Sequence, residues 1–196
     1  MKKLLLALLA VTACLNEAIS QESNYIKKPA LGITFFFNDF ESAANVKQNG
    51  LSNSLRDRKF GKLKEMSPGL AVNYVQGLTN HIDITANLGG SFVDYPIANR
   101  SVFANDNFLL EGDLSINAKM FTDNYWFSPF VTAGIGGSKY KGYYGAIVPV
   151  GFGVQLNIID EAYVLVNAQY RLGITDNTTN HFYFGLGIVG SLGKKN

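Results

Sequence analysis

"HIDITANLGGSFVDY", residues 81–95, alternates apolar positions with polar or small ones: Ile82, Ile84, Ala86, Leu88 and Phe92 against Asp83, Thr85, Asn87, Gly89 and Ser91. A period of two is that of an extended strand whose side chains leave by opposite faces of a sheet. The fold turns on which face meets water. With the apolar face inward, the chain is a soluble sandwich or barrel; with it outward, the surrounding medium has to be hydrocarbon.

The same pattern recurs along the chain. Strand signals cover Ala30–Phe40, Ser67–Gln76, His81–Tyr95, Phe108–Phe121, Phe127–Ser138, Tyr144–Ile158, Ala162–Ile174 and His181–Gly193, and no segment carries a convincing 3.6-residue apolar stripe. In the fourth, Leu110, Gly112, Leu114, Ile116 and Ala118 oppose Glu111, Asp113, Ser115, Asn117 and Lys119. In the eighth, Phe182, Phe184, Leu186 and Ile188 oppose Tyr183, Gly185 and Gly187. Two places break the rule. Phe35-Phe36-Phe37 in the first segment suggests a bulge, and Pro149 in the sixth cannot donate to a ladder, so pairing there is expected to be irregular or to lie beyond the apolar band.

Connections alternate as well. Those at 77–80, 122–125 and 159–161 are tight, whereas 41–66, 96–107, 139–143 and 175–180 are mostly longer. Eight antiparallel strands with this rhythm put the tight turns and both termini at one end of a barrel and the loops at the other, the asymmetry of outer-membrane barrels. A soluble barrel would show Asp, Asn, Ser and much glycine to water, where Lys and Glu are the usual choice. In a membrane barrel the same residues line a lumen, and closure leaves no unpaired strand edge in lipid. Phe121, Tyr125, Trp126, Phe127 and Tyr163 near the turn ends, and Tyr95, Tyr140, Tyr143, Tyr144 and Phe182 near the loop ends, fit two interfacial girdles. The expected fold is therefore all-β: a closed, antiparallel, eight-stranded transmembrane barrel of up-and-down topology.

Composition agrees. Of 196 residues, 47% are hydrophobic and only 16% charged, with 20 glycines and 13% aromatics, which excludes a disordered chain. The start, MKKLLLALLAVTACLNEAISQE, combines Lys2 and Lys3 with an apolar run from Leu4 to Val11 and small residues at Ala18 and Ser20, a secretory signal over 1–20 with Gln21 as the mature start. Val11-Thr12-Ala13-Cys14 also reads as a lipobox, in which Cys14, the sole cysteine, would be lipidated. Without Lys2, Lys3 and Glu17 the chain holds 15 basic and 14 acidic residues, a net charge of +1 that gives no pull toward nucleic acid. The expected organisation is signal 1–20, periplasmic leader 21–29, barrel 30–193 and tail 194–196.

The stretches FSPFVTAGIGG (127–137), GAIVPVGFGVQLNI (145–158), NAQYRLGIT (167–175) and YFGLGIVGSLG (183–193) resemble the outer-membrane barrel domain of the OmpA/OmpX kind, in particular OmpA-type proteins of Bacteroidetes-like bacteria. The resemblance spans the mature chain. It implies a bacterial outer-membrane location and contact with membrane lipid and lipopolysaccharide. Many such proteins continue through a Pro-rich linker into a peptidoglycan-binding domain. The present sequence ends at Gly193-Lys194-Lys195-Asn196, so peptidoglycan enters only if a periplasmic domain follows.

Charged residues on the polar faces define the candidate site. Asp83 and Lys119 lie low on neighbouring strands and are expected to pair; Glu111 and Asp113 sit higher on the fourth strand, with Arg171 across the bore. Asn87, Asn117, Gln155, Asn167 and Gln169 are expected to fill the gaps. This set reads either as a structural plug or as the gate of a small ion channel, and the plug is preferred because a bore of eight strands is usually filled. Arg56, Arg58, Lys59, Lys62 and Lys64 in the first long loop suit lipopolysaccharide phosphates as well as plain solvent. No catalytic constellation, cofactor or metal motif emerges: His81 and His181 start strands at opposite ends and read as interfacial polar residues. The expectation is a non-enzymatic monomer that serves envelope integrity or surface interaction, with a small porin as the alternative. A lipocalin-like carrier is disfavoured because its Gly-x-Trp pattern is missing at Trp126.

Overall fold

Residues 82–92 form one strand in the wall of a closed barrel. A computed structural model describes residues 26–93, 107–159 and 162–192. The signal segment with Cys14, the start at Gln21, Tyr95, Gly193 and the tail lie outside the described residues. The strands are β1 (Ala30–Asp39), β2 (Ser67–Gly77), β3 (Ile82–Phe92), β4 (Phe108–Lys119), β5 (Phe127–Tyr140), β6 (Tyr143–Ile159), β7 (Ala162–Gly173) and β8 (His181–Ser191). Each pairs antiparallel with its chain neighbours, and β1 closes on β8 from Ala30↔Ser191 to Asp39↔Phe182.

The burial pattern answers the question of the wet face. Ile33 (65% exposed), Leu88 (57%), Phe152 (67%) and Ile188 (67%) point outward, whereas Asp83, Glu111, Lys119, Gln155 and Arg171 are all 5% exposed or less. Among the described residues the outward strand positions carry one charge, Lys139, next to the loop end of β5. A soluble monomer rarely shows a continuous apolar patch beyond a few hundred Å². An apolar belt around the whole circumference calls for a hydrocarbon solvent, and a closed ladder satisfies every backbone group there.

The structure departs from the sequence expectation in three places. The Phe35-Phe36-Phe37 run holds no bulge: register with β2 and β8 is unbroken, Phe35 faces out, and Phe36 turns into the lumen at 2% exposure. A side chain of that size fits because the inward positions beside it are Gly69 and Gly89; a Cβ at 89 would meet the Phe36 ring at 2.9 Å. The 41–66 connection is no plain loop, for it folds into α1 (Phe40–Asn49), α2 (Leu51–Arg56) and a 3-10 turn (Leu63–Glu65). Asp39 caps α1 by accepting from Ser42 N–H at 2.8 Å, with Glu41 in the favourable first turn. The link between β5 and β6 is only Lys141-Gly142, with Lys141 at φ 56, so one tight turn sits at the loop end.

Pro149 behaves as its missing N–H requires. The β5–β6 partners run to Ala133↔Val150 and resume at Gly136↔Ile147 in the same register. Among the described residues the one register shift lies instead between Leu156 and Ile159, on β6 against β7. Two of the girdle aromatics also face inward: Tyr163 is 6% and Tyr140 3% exposed, while Trp126 (71%) and Tyr144 (68%) face outward. Tyr163 shares its phase with Leu165 and Gln169, which is the lumen face.

Candidate functional site

The lumen is built in layers from the turn end upward. At the bottom, β3 offers Asp83 and β4 offers Lys119, brought together by the register Ile82↔Ala118. Lys119 Nζ lies 2.9 Å from Asp83 Oδ1 and 2.6 Å from Asp123 Oδ2. The leader completes the arrangement: Lys27 Nζ lies 2.9 Å from Asp83 Oδ2 and 3.2 Å from Asp123 Oδ1. Two ammoniums and two carboxylates thus alternate in a neutral ring. Lys27 also donates to Gln155 Oε1 and sits 4.3 Å from the centre of the Tyr163 ring, and Gln155 Nε2 donates to Asp123 at 2.8 Å.

Burial and charge act in opposite senses on this ring. Desolvation alone would raise the Asp123 pKa, but Lys27 and Lys119 outweigh it and hold that carboxyl below the ordinary range. For Lys27 burial wins over Asp83 and Asp123 and lowers its pKa below the usual lysine value. A buried charge of this kind has to keep its partners, since an unpaired one is far costlier than the pair.

Above the ring, Ala30, Val75, Phe130, Tyr163, Leu165 and Val189 form an apolar layer. Then amides take over. Thr34 donates to Asn73 (2.6 Å), Asn73 to Asn87 (2.5 Å) and Asn87 to Asp113 (2.8 Å), while Asn117 donates to Thr85 (2.8 Å). Among these residues, with Asn167 and Gln169 on the far wall, the free space is about 10 Å³. That volume admits about one water molecule and no hydrated ion.

At the top Arg171 reaches across from β7 to β4. Its Nη1 lies 2.7 Å from Glu111 Oε2 and its Nη2 3.1 Å from Asp113 Oδ2, and its guanidinium stacks 4.0 Å above the Tyr183 ring. Gln169 Oε1 accepts from Arg171 Nε at 3.4 Å. His181, fully buried, brings Nε2 within 3.3 Å of the same Glu111 oxygen and carries Phe40 of α1 on its face, with centroids 4.5 Å apart. His181 is thus not interfacial. It belongs to the lumen, and α1 covers it.

Sequence reasoning placed five of these charged residues and missed Lys27, Asp123, His181 and Tyr183. The last two are in phase with Gly185 and Gly187 on the inward face of β8, a legible signal; Lys27 and Asp123 precede a strand and occupy a turn, where alternation says nothing. The basic stretch lies elsewhere, outside the bore. Arg56 ends α2 beside Asp57 (3.5 Å), Lys62 pairs with Glu65 (2.9 Å), and Arg58, Lys59 and Lys64 are exposed.

An apolar exterior, a polar bore and closure without a free edge define the class: an eight-stranded, up-and-down barrel of the bacterial outer-membrane type. The comparisons agree on the fold. The chain is similar to the N-terminal β-barrel domain of Pseudomonas aeruginosa OprF, with TM-score 0.53 at 10% identity over 85% of this chain and 98% of that one. It is also similar to Neisserial surface protein A, with TM-score 0.58 at 10% identity over 86% and 99%. No protein-family model matches the chain, and no curated protein matches it in sequence.

Proposed function

We propose that the chain is a non-enzymatic, monomeric barrel of a bacterial outer membrane that contributes to envelope integrity and surface contact, with its lumen serving as a plug. The observation that carries this reading is the filled bore: the Lys27–Asp83–Lys119–Asp123 ring below, about 10 Å³ of free space at mid-height, and the Arg171 cluster under α1 above. A charged ring below and an amide chain running up to the Arg171 cluster above, with an apolar layer between them, fill the barrel, and this gives the envelope a rigid element. Residues 30–193 make up the barrel, behind a signal over 1–20 and a leader whose Lys27 locks the lower mouth. At the outer rim Arg56, Arg58, Lys59, Lys62 and Lys64 contact phosphates of lipopolysaccharide.

The test is twofold. Purified full-length protein in planar bilayers is expected to show conductance near zero, and deletion of the coding sequence is expected to sensitise cells to detergent, with wild-type protein restoring resistance. Steady wild-type conductance that rises in an Arg171→Met variant would instead favour a porin gated by the upper cluster, the reading for which the Glu111–Arg171–Asp113 arrangement speaks.

A further inference from the structure

The exterior is not evenly packed. Along one row of the wall the outward residues are Phe152, Ala168, Phe184 and Phe37, paired in register from β6 through β7 and β8 to β1. Ala168 is the small member between large ones. The result, with Val166 and Leu186 beneath it, is an apolar groove of about 530 Å³ on the lipid-facing side.

The upper edge of this groove is tied to the basic stretch. Phe184 stacks with Phe182 at 6.1 Å, Phe182 meets Tyr170 at 4.9 Å, and Phe60 from the long β1–β2 connection lies edge-on to Phe182 at 5.2 Å. Arg58 and Lys59 precede Phe60 directly, so their backbone stays within about 8 Å of it. Neither they nor Lys64 have an acidic partner among the described residues, whereas Arg56 and Lys62 do.

Arg58 holds its position against local preference. Lys59 N–H bonds Ser54 O at 2.8 Å and Arg58 N–H bonds Leu55 O at 3.2 Å, the two bonds of a Schellman cap on α2. The residue after the cap adopts the left-handed conformation, here φ 55, where glycine is favoured. An arginine in that place keeps a long cation at the rim in spite of the backbone strain, and such retained strain clusters at binding sites.

We infer that this face is a site for one phosphorylated membrane lipid, its phosphate held by Arg58 and Lys59 and one acyl chain seated in the groove over Ala168. The inference rests on the reading of the basic loop as a phosphate contact and adds the chain-binding groove and the pairing of the two. Exposed cations above an apolar slot match an anionic head above an apolar tail.

The experiment uses the full chain in phosphatidylcholine vesicles with trace chain-spin-labelled phosphatidylglycerol or phosphatidylcholine, and reads the motionally restricted lipid. Wild type is expected to prefer phosphatidylglycerol by at least about fivefold. Arg58→Gly with Lys59→Gln keeps the heat-shifted mobility of the folded barrel, because glycine suits position 58, and brings the preference to one. Ala168→Phe fills the groove and removes the preferred component while the barrel still folds. Inorganic phosphate at millimolar concentration leaves the preference intact; if it erases it, the site reads a free anion and the inference falls. An unchanged Ala168→Phe beside an affected loop variant overturns the groove and leaves the loop reading standing, whereas an unaffected loop variant overturns both.

Discussion

Lys119→Met is the most informative single change in the lower ring. It deletes an ammonium that lies 2.9 Å from Asp83 and 2.6 Å from Asp123, with all three side chains at least 95% buried, and replaces it with an apolar chain of similar length. Removing one partner of a buried pair costs about 3–5 kcal/mol, because the remaining charge is left uncompensated. Lys27 stays within 2.9 and 3.2 Å of the two carboxylates, so part of their charge is still met and the low end applies. We expect about 3 kcal/mol for the single variant. Lys119→Met with Asp83→Asn leaves Lys27 and Asp123 as a balanced pair, and should be more stable than additivity allows by about 2 kcal/mol. Urea titration in phospholipid vesicles, with the folded fraction read from heat-modifiable gel mobility, measures both of these and Asp83→Asn alone. A single variant within about 1 kcal/mol of wild type, or a double variant that is simply additive, would refute the neutral-ring argument.

Three further outcomes follow from other parts of the barrel. Gly89→Leu drives a side chain into Phe36 and Ala71, whose atoms lie 2.9 and 3.0 Å from the position of its Cβ. The expected loss is about 1–3 kcal/mol, and Phe36→Leu in the same chain should recover part of it in the same urea assay. Asp39→Ala removes the cap of α1 and should cost about 1 kcal/mol locally. Hydrogen exchange checks this, with faster amides in 40–49 and unchanged amides in β3 and β4. For acid, the Asp123 carboxyl titrates lower in the folded barrel than in the unfolded chain, since Lys27 and Lys119 outweigh its burial. Its contribution is therefore complete above about pH 4 and lost as pH falls through the lowered folded value. Wild type minus Asp123→Asn should show this in the urea midpoint between about pH 5 and 2; equal acid losses in both proteins would contradict it.

The phase of alternation was the legible quantity. From 81–92 and 108–119 it separates the lipid face from the lumen face residue by residue, and therefore places Asp83, Glu111, Asp113 and Lys119 inside together. Extending the same phase would have turned Tyr163 and His181 inward as well; reading them as interfacial gave residue type priority over position. Phe36 is different, for its room comes from Gly69 and Gly89 on strands far away in sequence, and no local pattern carries that. Lys27 enters the bore only because the leader folds back under β3 and β6, which tertiary closure decides. Short α1 shows little apolar periodicity, and its one local cue was Asp39 as a cap. The basic stretch stands apart: its charges were plain to see, but its contact with the wall through Phe60 was not.

In this barrel the apolar face meets lipid and the polar face lines a filled bore. Spin labels at 114, 115, 116 and 117 in a Cys14→Ser background, which removes the sole cysteine, test it directly in reconstituted membranes. Collision with oxygen should be high at 114 and 116, where Leu114 and Ile116 are 49% and 54% exposed, and low at 115 and 117, with a water-soluble nickel chelate excluded from all four. If the chelate reaches 114 and 116 as freely as a label on Asn49, exposed at the end of α1, the outer face is wet and the membrane barrel is contradicted.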